Sequence, residues 1–119
     1  LGGRADVAAT ELRRRIDNRS GDPRLWQLLS RAYAALGQRT EQHRTQAEVY
    51  YLRGSLPAAI EQLEIARRAS DGDFYTLSAV DARLRELKQR LLEETRAFRG
   101  AWPSFRIGRL QYDPIRERG

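Results

Sequence analysis

Apolar residues recur along this chain at three- and four-residue steps, the spacing that lines one face of an α-helix. Ala8, Leu12 and Ile16 mark a first face, and Leu25, Leu28, Leu29, Ala32, Tyr33 and Leu36 a second. Ala47, Val49, Tyr50 and Leu52 mark a third, Ile60, Leu63 and Ala66 a fourth, and Leu77, Val80, Leu84, Leu87 and Leu91 a longer fifth. Punctuation agrees with five helices. Asp22-Pro23 reads as an N-cap followed by proline in the first turn, where its missing N–H costs nothing. Gly37 and Gly54 stand where left-handed residues close the second and third helices. Thr40 and Ser55 are expected to cap the next two starts, Pro57 is tolerated in a first turn, and Asp71-Gly72-Asp73 ends the fourth helix and caps the fifth. Connections this short make consecutive helices antiparallel hairpins.

The character changes after Glu94. Residues 98–112 contain Phe98, Trp102, Phe105 and Tyr112, and Gly100, Pro103, Gly108 and Pro114 argue against a continuous helix there. The expected organisation is a helical domain over 5–95 followed by an aromatic, irregular tail over 96–119.

Composition narrows the chemistry. A chain of 119 residues carries one modest core and no second, regulatory domain. It has no Cys, which removes disulfide scaffolds, thiolate metal sites and cysteine nucleophiles, while fitting any redox compartment. One histidine, His43, excludes a two-histidine zinc site within the chain. Met is absent and the chain starts Leu-Gly-Gly, so a segment of a longer protein is expected. No apolar run approaches the roughly 18 residues of a membrane span, and no signal peptide is visible. The formal charge is +6, with every basic residue except Lys88 an arginine. By segment it is +1 over 1–22, +3 over 23–54, 0 over 55–92 and +2 over 93–119, so no stretch is a basic block.

A period of 34 residues organises the helices. The tetratricopeptide repeat (TPR) of that length pairs two antiparallel helices, with small residues where the backbones approach and large ones filling the gaps. Within residues 40–73, Ala47, Tyr50, Gly54, Ala59, Leu63 and Ala66 occupy its small, Tyr, Gly, Ala, bulky and Ala places, and His43 stands where Trp is usual. Trp26, Leu29, Ser30, Tyr33 and Gly37 match the first helix of another repeat, and Ala8 and Leu12 the second helix of a third. Leu77, Val80 and Leu84 continue the phase, with Asp81 in a place that normally takes a small residue. Gly37 and Gly54 are half a repeat apart, so helix 40–53 must act as a second helix while reading as a first. The expected fold is therefore all-α: antiparallel hairpins stacked as a short, degenerate TPR solenoid, with a longer C-terminal helix and an irregular tail.

The runs LWQLLSRAYAALG (25–37), HRTQAEVYYLRG (43–54), AIEQL (59–63), GDFY (72–75) and DARLREL (81–87) narrow the resemblance. From Trp26 to Leu87 the chain resembles the C-terminal TPR domain of bacterial periplasmic zinc metallopeptidases of the β-barrel assembly-enhancing protease family. That resemblance implies a protein-interaction module in the periplasm, the docking half of an enzyme for outer-membrane protein quality control. Its partners would be unfolded polypeptide, components of the β-barrel assembly machinery and the parent's own peptidase domain. The HExxH peptidase domain would precede this chain and hold the zinc, leaving no catalytic residue and no cofactor here. A missing N-terminus, initiator Met and signal peptide would then share one cause.

In the repeat register, Arg24, Gln27, Arg31, Arg44, Glu48 and Tyr51 are not required by the core and are candidates for a concave, partner-binding face. Arginine suits that task because its planar fork clamps a carboxylate through two parallel bonds. The alternative for each is a solvated helix face. Trp26, Tyr33 and Tyr50 are expected in the core, and His43 is expected to pack or hydrogen-bond against the preceding helix, since Glu41 and Glu48 do not complete a zinc-like set. Glu61/Glu64 and Asp71/Asp73 lie on an exposed face and in a loop, which gives acid–base chemistry no cleft. Phe105, Ile107, Leu110 and Tyr112, interleaved with Arg106, Arg109 and Gln111, read either as a docking arm or as an untethered terminus. Two rival functions are a free-standing TPR adaptor and a basic nucleic-acid-binding domain. The interspersed acids and the lack of an RNP-like motif count against nucleic acid.

Overall fold

The second and third helices end for identifiable local reasons. The computed structural model describes residues 2–105, with side chains described over 4–100. Its helices are α1 (Gly2–Asn18), α2 (Pro23–Ala35), α3 (Arg39–Leu52), α4 (Leu56–Arg68) and α5 (Phe74–Phe105), and there is no strand among the described residues. At the start of α2 the Asp22 carboxylate accepts the Arg24 N–H at 2.9 Å, with Pro23 in the first turn. At its end Gly37 turns left-handed (φ 73°), Gln38 N–H reaches the Tyr33 carbonyl at 3.0 Å and Gly37 N–H reaches Ala34 at 3.1 Å. The end of α3 repeats this Schellman arrangement: Gly54 has φ 86°, Ser55 N–H bonds to Tyr50 at 2.9 Å and Gly54 N–H to Tyr51 at 3.0 Å. Both glycines adopt a conformation in which a Cβ would be strained.

The start of α3 departs from the sequence expectation. Thr40 is not its N-cap; it lies inside the first turn and is 1% exposed. The cap comes from the α4–α5 connection. Asp71 accepts the Arg39 N–H at 2.6 Å, the Thr40 N–H at 3.0 Å and the Thr40 hydroxyl at 2.7 Å. Gly72 presses against the same threonine, leaving a Cβ only 3.0 Å from Thr40 Oγ1 and Cγ2. Thr40 is the second residue of the helix, past the cap position held by Gln38, and its inward-facing hydroxyl donates to the Asp71 carboxylate. Ser55 holds the N-cap position of α4 but makes no side-chain capping bond. Asp73 does cap α5, accepting the Thr76 N–H at 2.8 Å.

A second departure concerns the tail. Gly100 and Pro103 do not stop α5, which continues to Phe105. Proline removes one i→i−4 bond and crowds one carbonyl, a local cost that the neighbouring bonds of a long helix offset. The remaining tail expectations, including Ile107, Gly108, Leu110, Tyr112 and Pro114, lie outside the described residues.

The chain divides into two units, residues 1–88 and residues 89–119. In the first, connections of three to five residues join the helices, and α1 packs on α2, α2 on α3 and α3 on α4. This is an all-α stack of antiparallel hairpins. Helix α3 has both α2 and α4 as neighbours, as its double repeat signature requires. Ala9, Ile16, Leu29, Ala32 and Tyr33 form the core between α1 and α2. Ala47, Val49, Ala59, Leu63, Ala66, Val80, Leu84 and Leu87 are buried farther along the stack. Small residues thus sit at the repeat's close-approach places and large ones between them.

Ion pairs join the later helices: Arg67–Asp81 at 3.2 Å and Lys88–Glu64 at 3.0 Å between α4 and α5, and Glu48–Arg83 at 2.8 Å between α3 and α5. Asp81, anomalous in the repeat pattern, is accounted for by Arg67. In the second unit, helical residues 89–100 carry exposed Leu92 and Phe98 and half-buried Leu91 and Thr95. No helix among the described residues is long and apolar enough to cross a membrane.

Candidate functional site

A cavity of about 240 Å³ opens where α1, α2 and α3 meet. Ile16, Leu29, Trp26 and Tyr33 supply its apolar and aromatic lining, and Arg13, Asp17, Glu41, Arg44, Thr45 and Glu48 its polar one. These residues converge because of helical spacing. Glu41, Arg44, Thr45 and Glu48 lie along one side of α3, as Trp26, Leu29 and Tyr33 do on α2. Trp26 is half-buried, with its indole N–H donated to the Ser20 carbonyl at 2.9 Å, which fixes the ring beside the cavity. Tyr33 is buried, and its hydroxyl accepts from Arg13, whose guanidinium carbon lies 5.8 Å from the ring centroid.

The charges divide into spent and available groups. Arg44 donates to Glu41 on its own helix at 3.0 Å, a part-buried i,i+3 pair of the weak kind that an incoming ligand can displace. Glu48 is committed. It accepts two parallel bonds from Arg83, both at 2.8 Å, with the arginine and glutamate side chains 23% and 16% exposed. Arg83 also pairs with Glu86 at 2.9 Å and lies 4.7 Å from the Tyr51 ring centroid. The hydrogen bonds it donates to Glu48, reinforced by the carboxylate's charge, hold the Arg83 guanidinium above its ordinary pKa. Asp17 has no hydrogen-bond or ion-pair partner among the described residues and remains available to a ligand.

The six residues expected on one face separate into four places. Arg44, Glu48 and Tyr51 share a side of α3, with the first two lining the cavity and Tyr51 stacked on Arg83. Arg31 lines a groove on the other side of the α1–α2 pair. Arg24 sits at the start of α2, 82% exposed and 3.3 Å from the Asp22 carboxylate. Gln27 is half-buried on α2 and outside the cavity lining. His43 hydrogen-bonds through Nδ1 to Gln62 Oε1 at 2.8 Å, on the following helix instead of the preceding one. Among the described residues no group of three or more His, Asp or Glu side chains is placed to hold a metal.

Arg13, Asp17 and Arg83 were not among the expected site residues. One signal for Arg83 is present in the sequence: it follows Glu48 by 35 residues, close to one repeat period, so the two face each other across successive hairpins. Double-mutant cycles with Glu48→Gln and Arg83→Gln are expected to give a coupling of about 1.5 kcal/mol in urea unfolding, above the range of exposed pairs because the fork is bidentate and half-buried. Arg83→Lys should recover less than half of it, since an ammonium cannot reproduce the two parallel bonds or the stacking on Tyr51. A coupling near zero would mean that the pair orders the surface without stabilising it.

Comparison of the chain with protein-family models, curated proteins and solved structures finds no match.

Proposed function

We propose that the chain is a TPR-type module that docks polypeptide at the α1–α3 cavity. The observation that carries this reading is the cavity itself: an aromatic and aliphatic lining, a displaceable arginine and an unpaired aspartate, set between rigid helices. Such a site accepts one apolar side chain while its rim bonds the peptide's own amides and carbonyls. Three features support the repeat reading: the half-repeat glycines both left-handed, Ala47, Ala59, Leu63 and Ala66 each at 0% exposure, and α3 packed between two helices. The likeness of the 25–87 runs to the C-terminal domain of periplasmic zinc metallopeptidases supports a finer reading, the partner-docking half of such an enzyme acting on outer-membrane proteins. That finer reading requires an HExxH-containing domain in the coding sequence immediately upstream of Leu1.

The chain has two tryptophans, so a Trp102→Phe variant leaves Trp26 as the sole indole reporter beside the cavity. Titration with a permanently unfolded polypeptide, reduced and carboxymethylated, is expected to shift Trp26 emission saturably. Arg44→Glu is expected to weaken that binding about tenfold, worth about 1.4 kcal/mol, with the far-UV circular dichroism unchanged. Trp26 emission that ignores unfolded polypeptide at every concentration would overturn the proposal.

A further inference from the structure

The α1–α2 pair has a second open side, distinct from the cavity. Across the hairpin, Ala5, Ala8 and Leu12 of α1 and Leu28 and Ala32 of α2 floor an open groove of about 540 Å³. Leu28 is 46% exposed there, and Val7 on the same helix as Ala8 is 68% exposed. Within the stack α2 lies against α1 and α3, and α3 against α2 and α4, so the groove repeats on the outer side of the hairpin the kind of surface that α3 covers on its inner side. An apolar trough between two antiparallel helices takes a third helix with its apolar ridge inward.

The rim specifies which helix. Arg4, Arg15 and Arg31 border the groove against a single acid, Glu11. The Glu11 carboxylate is already shared by two arginines, Arg14 at 2.6 Å and Arg15 at 3.1 Å, and those bonds hold its pKa below the usual carboxylate range. Arg4 and Arg31 have no ion-pair or hydrogen-bond partner among the described residues. A second copy of this surface would set arginine against arginine. An amphipathic helix with a leucine-type ridge and acidic flanks would instead place carboxylates beside both unpaired guanidinium groups. We propose that the α1–α2 groove is a docking surface for an acidic amphipathic helix of a partner protein, separate from the cavity and occupied independently of it. Apolar contact supplies the bulk of such binding, while the arginines set the sign of charge that is accepted and speed encounter.

The test uses the full chain and a fluorescent, end-blocked 17-residue helical peptide matching α1 in length, with leucines at i, i+3, i+4 and i+7 positions and glutamates on both flanks. Anisotropy titrations are expected to show saturable binding that weakens with salt. The same peptide with lysine in place of each glutamate should bind at least about tenfold more weakly. Arg4→Glu with Arg31→Glu, both exposed positions, should cause a comparable loss without changing helicity, and Leu28→Asp should abolish binding. Arg44→Glu should leave it unchanged, which separates failure at this groove from failure at the cavity. Equal affinity for the lysine peptide, or unaltered binding by the double arginine variant, overturns the proposal. So does tighter binding of a nucleic-acid duplex than of the acidic peptide, or a dimer in sedimentation equilibrium that Leu28→Asp dissociates.

Discussion

Asp71→Ala is expected to lower the unfolding free energy by about 2–3 kcal/mol, above the roughly 0.5–2 kcal/mol that an N-cap alone contributes. The carboxylate serves three donors at once, two backbone amides of α3 and the buried Thr40 hydroxyl. Water can reach the Arg39 amide after truncation, but Thr40 is 1% exposed and its hydroxyl would lose its acceptor in place. An unsatisfied buried hydroxyl adds about 1–3 kcal/mol to the capping loss, partly relieved by side-chain rotation. Because Asp71 belongs to the connection before α5 while its partners begin α3, the loss falls on the α3–α5 arrangement and not on α4's own helicity. Urea unfolding measures the total; faster amide exchange at Arg39 and Thr40 locates it.

The same carboxylate makes stability depend on pH in a known direction. The Thr40 hydroxyl bond, followed by the Thr40 and Arg39 amide bonds, holds the Asp71 carboxyl below the usual carboxylate range. A folded pKa below the unfolded one means that its contribution is fully present above the unfolded value, near about 4, and is lost as pH falls through the folded value. Glu11, Asp22, Glu64 and Asp73 are shifted the same way by their own partners, so all five weaken the fold in acid. Asp71→Asn isolates one of them: its stability curve below about pH 4 should be flatter than the parent's. Parallel curves would show that Asp71 does not contribute to the acid response.

What was legible in the sequence was local. Asp22-Pro23, Gly37 and Gly54 act within one turn of chain, so their residue types alone announced their roles, and the structure gives all of them the expected geometry. Asp71 acts across 31 residues, and no local pattern distinguishes a loop aspartate that caps a distant helix from one that caps its neighbour. The expectation that Thr40 caps α3 fails for that reason. Pro103 does not end α5 because its cost is fixed while the support from a long helix is not. The site follows the same division. Arg44, Glu48 and Tyr51 keep a common side because helical spacing places them there, whereas Arg31 and Arg44 part company because packing decides which side of α2 meets α3. Glu48 is expected on a partner-binding face; its tie to Arg83 depends on a helix 35 residues away, which composition does not locate.

Leu63→Ala is expected to cost about 3 kcal/mol, within the usual range for truncating a buried leucine. Leu63 is 0% exposed and sits on α4 between Ala59 and Ala66, each also at 0%. Those alanines bring the helix backbones together, so the leucine fills space that no neighbouring side chain is long enough to reclaim. The cavity left by truncation should therefore stay largely open, which adds to the lost transfer free energy. Leu92→Ala provides the contrast: at 45% exposure its loss should fall within about 0.5 kcal/mol. For a domain of this size a 3 kcal/mol loss lowers the melting temperature by about 12–20 °C, readable by circular dichroism at 222 nm. Matching losses at Leu63 and Leu92 would mean that the stack is held by diffuse apolar contact. A large difference between them would show that the fully packed site around Leu63, and not apolar content in general, carries this contribution to stability.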